Sequence, residues 1–549
     1  MSFRRALCAV FLGFVFAFAA LTAMAQNAGG VINGRVITED GLPVSHAIVS
    51  LVGVSGRLNQ TTVKRETVGD DDGNFQADGL EAIPYLISAW APGYVPASDG
   101  VINPFEVSDE RFVHLGELVT IKLRRGGVIT GRVTNDAGEP VVGMPVKATR
   151  VRDESGRSTS VDVGYAHLWT RTTDDRGVYR IYGLAPGSYI VAAGGSDPSS
   201  SRSTPFAGRG TTYYPSSTRD AATLVNVSSG FEATGIDIRY RAERGVAISG
   251  KVHGAPGATS TILLRSPTND ETIETVWTNN QNGYAFYGVS NGEYEVIARS
   301  DGAASAPRRL TLKDTDVTGV DLTLIPYASI TGVIVVETAE SQASECKSRK
   351  SYAEEIIVRA RRDDASERVR GYGIGIPYDK GGFTIPDLKP GRHHIDVELP
   401  DETWYLKTMT MTGVKAATDP RAGLTLKSAD KLVGLKLTVA SGAAMLKGKI
   451  TPAERLRVHL IPAETEAIDD LLRYVETRAD AEGGFTFTNL APGKYFVLAR
   501  ATPNSQSLRP AAWDPAERQK LRKDAAAANV VIELKPCQRI TDYTLRVAK

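Results

Sequence analysis

Few residues in this chain have the type and spacing that hydrolytic chemistry requires. His114 and Glu117 form a His-x-x-Glu pair, and His253 follows at a distance that suits a third metal ligand. A zinc peptidase holds its metal with such a set and uses a further glutamate as general base. Such chemistry is carried by an α/β domain, and the sequence between His114 and His253 has no room for one because sequence repeats occupy it. We therefore predict that the chain is not an enzyme and has no catalytic residue, metal or cofactor.

The other polar clusters favour structural roles. His393 and His394 are adjacent, so a strand would point them to opposite faces and they would not chelate one metal together. The run Asp70-Asp71-Asp72 lacks the alternating spacing of a calcium loop, which favours a solvated turn. No serine lies in a Gly-x-Ser-x-Gly elbow.

Paired aromatic residues are better candidates for binding than for catalysis. Tyr213-Tyr214 and Trp404-Tyr405 fall outside the repeated core positions described below. An exposed ring offers a flat apolar face on which a sugar can stack. We predict that these four residues bind a ligand. Core packing is the stronger interpretation for most of the other candidates, which are Trp90, Tyr94, Trp169, Trp277 and Trp513.

The cysteines leave two interpretations open. The chain has three, and Cys8 lies in the N-terminal leader, so Cys346 and Cys537 remain in the mature protein. Two are too few for a disulfide framework or a Cys-x-x-Cys zinc site. They form either one disulfide in an oxidising compartment or two separate small apolar side chains.

The N-terminus has the three parts of a secretory signal. Two arginines precede the apolar run 6–21, and Ala23-Met24-Ala25 is a small-x-small cleavage site. The alternative is an uncleaved membrane anchor. No second apolar run is long enough to span a bilayer. We predict a secreted, periplasmic or cell-surface protein with no membrane span after cleavage, and the formal net charge of +1 argues against nucleic acid as a partner.

One short motif recurs about every hundred residues, and its clearest copy is TDDRGVYRIYGLAPGSYIVAA at 173–193. Alternating apolar residues such as Tyr179 and Ile181 are typical of a strand with one buried face. Pro186-Gly187 supplies the turn before a second strand. We call this the repeat motif, and its leucine position recurs at Leu80, Leu184, Val289, Leu388 and Leu490.

Each repeat contains about seven short strands separated by turn signals, which predicts a β-sandwich. A signal peptide at 1–25 precedes five repeats. We therefore predict an all-β chain of five tandem Ig-like or transthyretin-like antiparallel sandwiches, at 26–125, 126–243, 244–327, 328–440 and 441–549.

Two helices are predicted inside the last repeat. Residues 463–479 form an amphipathic run. The second helix follows Trp513, where Asp514 can cap, Pro515 suits the first helical position and Glu517 completes a capping box.

The stretches GRVTNDAGEPVVGMPVKA at 131–148 and TDDRGVYRIYGLAPGSYIVAA at 173–193 resemble the carboxypeptidase regulatory-like domain. That domain is a transthyretin-like sandwich related to collagen-adhesin B-type repeats. The resemblance extends over nearly the whole mature chain and includes the segment 211–239, which resembles part of long secreted bacterial members. It implies an accessory module without catalytic residues, often described as carbohydrate-binding-like or adhesive.

The sequence thus predicts a secreted, non-catalytic binding and spacer protein that interacts with polysaccharide or envelope proteins. One alternative is a carbohydrate-binding protein with a glycan site on the sandwich loops. A second is a carboxypeptidase-associated hydrolytic role, which would need catalytic residues that the chain does not visibly contain.

Overall fold

A computed structural model describes most of the repeats. The predicted leader, with Cys8, and Trp169 lie outside the described residues, which are 30–56, 64–97, 112–157, 170–195, 206, 209–241, 243–254, 259–267, 272–337, 346, 352–363, 372–412, 419–451, 456–501 and 510–546.

The described chain forms five β-sandwiches in sequence order. The first contains strands β1–β7, at Gly30–Thr38, Ile48–Gly53, Lys64–Val68, Asn74–Leu80, Tyr85–Trp90, Tyr94–Pro96 and Leu118–Arg125. The second contains β8–β16, at Gly127–Thr134, Pro145–Asp153, Thr170–Thr172, Val178–Leu184, Gly187–Ala193, Thr212–Tyr213, Val225–Val227, Glu232–Ala233 and Ile238–Arg239. The third contains β17–β24, at Val246–His253, Thr261–Arg265, Thr272–Trp277, Gly283–Val289, Gly292–Ser300, Ala303–Ser305, Arg308–Leu312 and Leu322–Pro326.

The fourth sandwich contains β25–β32, at Ala328–Glu337, Ile357–Arg362, Tyr372–Gly375, Gly382–Leu388, Gly391–Glu398, Trp404–Met411, Leu424–Leu426 and Lys431–Ser441. The fifth contains β33–β39, at Ala444–Thr451, Arg457–Pro462, Val475–Arg478, Gly484–Leu490, Gly493–Arg500, Val531–Leu534 and Arg539–Arg546. One α-helix, α1, spans Pro515–Ala528. Short 3-10 turns lie at Arg219–Ala221, Ala353–Glu355, Pro420–Ala422, Thr465–Ala467, Leu471–Arg473 and Ala511–Trp513.

The opening strand of each sandwich lies between the first strand of the repeat motif and the closing strand. β1 pairs with β4 in the antiparallel sense and with β7 in the parallel sense. The same arrangement holds for the opening strands β8, β17, β25 and β33. The otherwise antiparallel sandwich therefore gains one parallel pair, because the chain passes through the second sheet before it returns to the opening strand.

The second sheet of each sandwich continues the repeat motif. Its strand orders are β3-β2-β5 in the first, β10-β9-β12 in the second, β27-β26-β29-β31 in the fourth and β35-β34-β37-β38 in the fifth. In the third sandwich β22 bridges the two sheets, which form one continuous path from β19 to β20. Each sandwich encloses a separate cluster of buried apolar side chains.

The repeat motif supplies the centre of each cluster. Tyr179, Ile181 and Leu184 are all fully buried in the second sandwich. The Tyr179 hydroxyl donates a hydrogen bond of 2.5 Å to the carbonyl of Ile236, on the segment that leads to the closing strand. The tyrosine therefore fills the core and also joins two elements.

The fifth sandwich contains one of the two predicted helices. Asp514 caps α1 by accepting hydrogen bonds from the amides of Ala516 and Glu517, and Asn529 ends it in a left-handed conformation. The helix predicted at 463–479 was wrong. That stretch contains two 3-10 turns and β35, because residues 475–478 pair with β34 as an edge strand.

Candidate functional site

The predicted ligand-binding aromatic residues do not come together. Tyr213 and Trp404 belong to the second and fourth sandwiches and are only 7% and 5% exposed. Tyr214 packs against the core of the second sandwich. Tyr405 is half-buried, and its burial raises its pKa. The burial of Tyr213 and Trp404 leaves neither ring face open to a ligand, because positions outside the repeat motif also fill the cores.

His253 is not brought together with His114 and Glu117, the other two residues considered for zinc. His114 is buried in the first sandwich, where its backbone N–H donates to the Glu117 carboxylate. His253 lies on β17 of the third sandwich, and its ring nitrogen is 3.4 Å from a carboxylate oxygen of Asp321. Within the described segments, no three histidine, cysteine or acidic residues are grouped as a metal site would require.

The acidic turn that opens the repeat motif, which in the first repeat contains the Asp70-Asp71-Asp72 run considered for calcium, is held by backbone hydrogen bonds. The Asp174 carboxylate accepts hydrogen bonds from the backbone amides of Arg176 and Val178, at 2.9 and 2.8 Å. Asp70 and Asp480 make the same pair of contacts in their repeats, and Asn279 makes them in the third. These bonds hold the pKa of Asp174 below its usual value. An amide makes the same bonds in the third repeat, so the turn depends on an acceptor oxygen and does not require a carboxylate.

The fourth and fifth sandwiches are joined by several kinds of contact. A disulfide joins Cys346 to Cys537, with Cα atoms 5.4 Å apart. The Asn489 side chain donates hydrogen bonds of 2.8 Å to the carbonyls of Asp401 and Trp404 in the neighbouring sandwich. The junction is therefore fixed by covalent and polar contacts together.

A stacked cluster covers one end of the outer face of the fourth sandwich. The His394 ring lies parallel to the Trp513 indole of the fifth sandwich, with centroids 3.7 Å apart. The guanidinium of Arg361 lies 4.2 Å from the centre of the same indole. Burial lowers the pKa of His394 to about 4, although Asp363 at 3.7 Å opposes the shift. We expect a neutral imidazole here near pH 7.

The other end of this face contacts the first sandwich, far away in sequence. Leu86 and Phe112 of the first sandwich pack with Ile357 of the fourth, and all three are buried. The guanidinium of Arg359 lies 5.7 Å from the centre of the Phe112 ring. The chain therefore folds back, and the outer face of the fourth sandwich lies between the first and the fifth.

A surface depression on the third sandwich was missed by sequence reasoning. It has a volume of about 660 Å³ and lies where β19 turns into β20. Trp277 and Tyr287 line it and are 62% and 65% exposed. We call this depression the aromatic groove. The sequence predicts core packing for most of the aromatic candidates that include Trp277, and Trp277 is exposed instead.

The floor of the aromatic groove is formed by β17 and β20 and includes several small residues. Ser249 and Lys251 alternate with buried residues along β17, and they pair with Ala285 and Gly283 of β20. Gly250, between them, needs to be glycine, because a Cβ there would collide with the carbonyl of Val320. Polar groups also line the groove, and they are Lys251, Asn279, Gln281 and Asp321.

Comparison with known proteins identifies the first sandwich. Residues 31–112 match the family described as the carboxypeptidase regulatory-like domain. The chain is thus a multi-domain β-sandwich protein whose first sandwich is similar to the carboxypeptidase regulatory-like domain. A comparison with curated protein sequences gives no match.

Solved structures of low similarity include bacterial pilins. GBS52, the minor pilin of Streptococcus agalactiae, is 15% identical, with 39% of this chain and 96% of that chain covered and a TM-score of 0.21. BcpA, the major pilin subunit of Bacillus cereus, is 11% identical over 54% of this chain and 99% of that chain, with a TM-score of 0.15.

The Bacillus anthracis TIE protein is 13% identical, with a TM-score of 0.14. The match covers 54% of this chain and 51% of the TIE protein. These scores are too low to support a functional conclusion.

Within the described segments, no helix combines the length and apolar character needed to cross a bilayer.

Proposed function

We propose that this chain is an exported, non-catalytic binding and spacer protein of the cell envelope or extracellular space. The observation that carries the proposal is the outer face of the fourth sandwich, which is packed between the first and fifth. A disulfide adds a covalent link at the second of these junctions. Such contacts hold sandwiches at fixed angles, which suits a scaffold that presents a binding surface.

The export part of the proposal rests on the sequence of the leader. Fractionation of the native cells, with N-terminal sequencing of the protein, tests it directly. We expect the protein in the periplasm, at the surface or in the medium, with Gln26 as its first residue. Recovery of the intact chain in the cytoplasm would contradict the proposal.

The non-catalytic part is tested against the hydrolytic alternative. Purified mature protein is incubated with peptide and ester substrates, with and without added Zn²⁺, and is separately tested for retention on isolated envelope material. We expect retention without turnover. Turnover that a chelator abolishes would favour the hydrolytic role, and failure to bind any envelope fraction would contradict the binding role.

A further inference from the structure

We propose that the aromatic groove of the third sandwich binds a neutral glycan. The inference rests on the proposed binding role and names its site and ligand class. The aromatic groove holds two strongly exposed aromatic rings above a floor of small residues, with polar side chains around them. Its volume of about 660 Å³ falls within the range of small-ligand sites, roughly 300–1,000 Å³.

The second sandwich provides an internal comparison, because charged side chains occupy the corresponding face. Tyr182 occupies the repeat position of Tyr287, but the guanidinium of Arg171 lies 4.7 Å from the centre of its ring. Arg180 occupies the position of Ala285 and forms an ion pair of 3.2 Å with Glu232.

The third sandwich lacks the arginine that corresponds to Arg180. Ala285 replaces the arginine, and Ser249 stands where Thr130 bonds to Glu232 in the second sandwich. The side chain of Tyr287 is 65% exposed, against 53% for Tyr182, and its neighbour on the same face of the strand is the small Ala285. The aromatic groove therefore results from specific residue differences at matched positions of two repeats, and not from the fold alone.

The polar lining favours a sugar over other ligands of similar size. An aromatic face stacks on the apolar C–H face of a sugar ring, and amides and carboxylates suit its hydroxyl groups, which both donate and accept. Within the described part of the chain, neither the Trp277 indole N–H nor the Gln281 amide group has a hydrogen-bond partner.

The charges at the groove favour a neutral ligand. Lys251 and Asp321 contribute one charge of each sign, so the lining does not select for an acidic chain. A proline-rich peptide would also use aromatic side chains, but it would leave most of these polar groups without a role.

Binding is tested on the full mature protein with three probes of matched length: a neutral glucan oligosaccharide, a uronic-acid oligosaccharide and a proline-rich peptide. We expect the glucan to bind and to change the tryptophan fluorescence. Trp277→Ala and Tyr287→Ala should each weaken that binding by about tenfold or more, as truncation of a central aromatic contact does. Ala285→Arg, which copies the second sandwich, should block binding while both aromatic rings remain.

Matched controls separate the site from general surface effects. Trp90→Ala removes a tryptophan of similar exposure, 59%, outside the groove, and Tyr182→Ala removes the tyrosine at the corresponding repeat position. Both should bind the glucan like the wild type, and circular dichroism should show that every variant is folded.

Three results would overturn the inference. These are no binding of the glucan by the wild type, binding unaffected by Trp277→Ala and Ala285→Arg, and stronger binding of the peptide or the acidic oligosaccharide. None of them would affect the proposed scaffold, which the envelope-retention experiment above and small-angle X-ray scattering of the mature protein test independently.

Discussion

Tyr179 shows how one residue can stabilise a whole sandwich. Its ring is buried, and its hydroxyl bonds to the Ile236 carbonyl. We predict that Tyr179→Ala lowers the free energy of unfolding of the second sandwich by about 3–5 kcal/mol, through lost burial and a cavity. Tyr179→Phe keeps the ring and should cost about 1 kcal/mol.

Chemical denaturation of the wild type, Tyr179→Ala and Tyr179→Phe measures these differences in the free energy of unfolding. Tyr182→Ala, which truncates a tyrosine that is 53% exposed on the same strand, should change stability little. If Tyr179→Ala cost less than about 1 kcal/mol, the assignment of Tyr179 to the core would be untenable.

His394 should make the junction between the fourth and fifth sandwiches sensitive to acid. Its pKa is lowered to about 4 in the folded protein by burial and by Arg392 and Arg361, with Asp363 opposing. An unfolded chain binds a proton near the ordinary value of about 6.5. The unfolded state therefore holds more protons between these values, and stability should fall as pH drops from about 6.5 to about 4.

Thermal unfolding across this pH range measures the effect. His394→Gln removes the titrating group, and its melting temperature should depend less on pH over the same interval. His253→Gln is the control, because His253 is an exposed histidine of the third sandwich. An identical pH dependence for His394→Gln and the wild type would exclude His394 as the cause.

At the scale of elements, the turn that opens the repeat motif depends on one side-chain oxygen. Asp174 accepts two backbone N–H groups in that turn, and Asn279 does the same in the third repeat. We predict that Asp174→Asn keeps the melting temperature close to that of the wild type, whereas Asp174→Ala lowers it by several degrees. Calorimetry distinguishes the two, and equal losses would show that the charge matters more than the acceptor.

The disulfide is the covalent element between the fourth and fifth sandwiches. Cys346 and Cys537 are separated by 191 positions, so the chain-entropy model gives about 5 kcal/mol of stabilisation against full unfolding. Non-reducing mass spectrometry of the exported protein should find a peptide that joins the two cysteines. Cys346→Ser and the double serine variant should be destabilised equally, and two freely alkylated thiols in the wild type would refute the pairing.

The elements were predictable from the sequence where local pattern determined them. The repeat motif predicted the cores because Tyr179, Ile181 and Leu184 lie on one face of a strand. The stretch 463–479 did not follow its amphipathic pattern, because pairing with β34 stabilises a strand at 475–478. The cap at Asp514 was predictable because it is a local interaction. The Asp514 side chain accepts hydrogen bonds from backbone amides only two and three residues further along the chain.

The candidate site was less predictable, because exposure depends on neighbours that are distant in sequence. Tyr182 and Tyr287 occupy the same repeat position, and only the residues around them decide which one lines a groove. Trp404 lay outside the repeat motif and still became a core residue. Periodicity cannot reveal these differences, since they arise where separate strands meet.

At the scale of the whole molecule, the tandem sandwiches do not form a simple string. β7 ends at Arg125 and β8 begins at Gly127, so consecutive sandwiches are joined by very short connections. The contact of Leu86 and Phe112 with Ile357 links the first and fourth sandwiches across more than two repeats. No local pattern in the sequence specifies this contact, because it joins outward-facing residues of separate domains.

Small-angle X-ray scattering of the mature protein tests this folded-back scaffold most directly. The wild type should give a scattering curve that matches the compact arrangement. Ile357→Glu places a charge in the apolar contact between the first and fourth sandwiches, so this variant should have a larger radius of gyration while each sandwich stays folded. Val433→Glu is the control, because Val433 is an exposed residue of the fourth sandwich, and it should leave the radius of gyration unchanged. A wild-type curve typical of an extended string, unchanged by Ile357→Glu, would contradict the account.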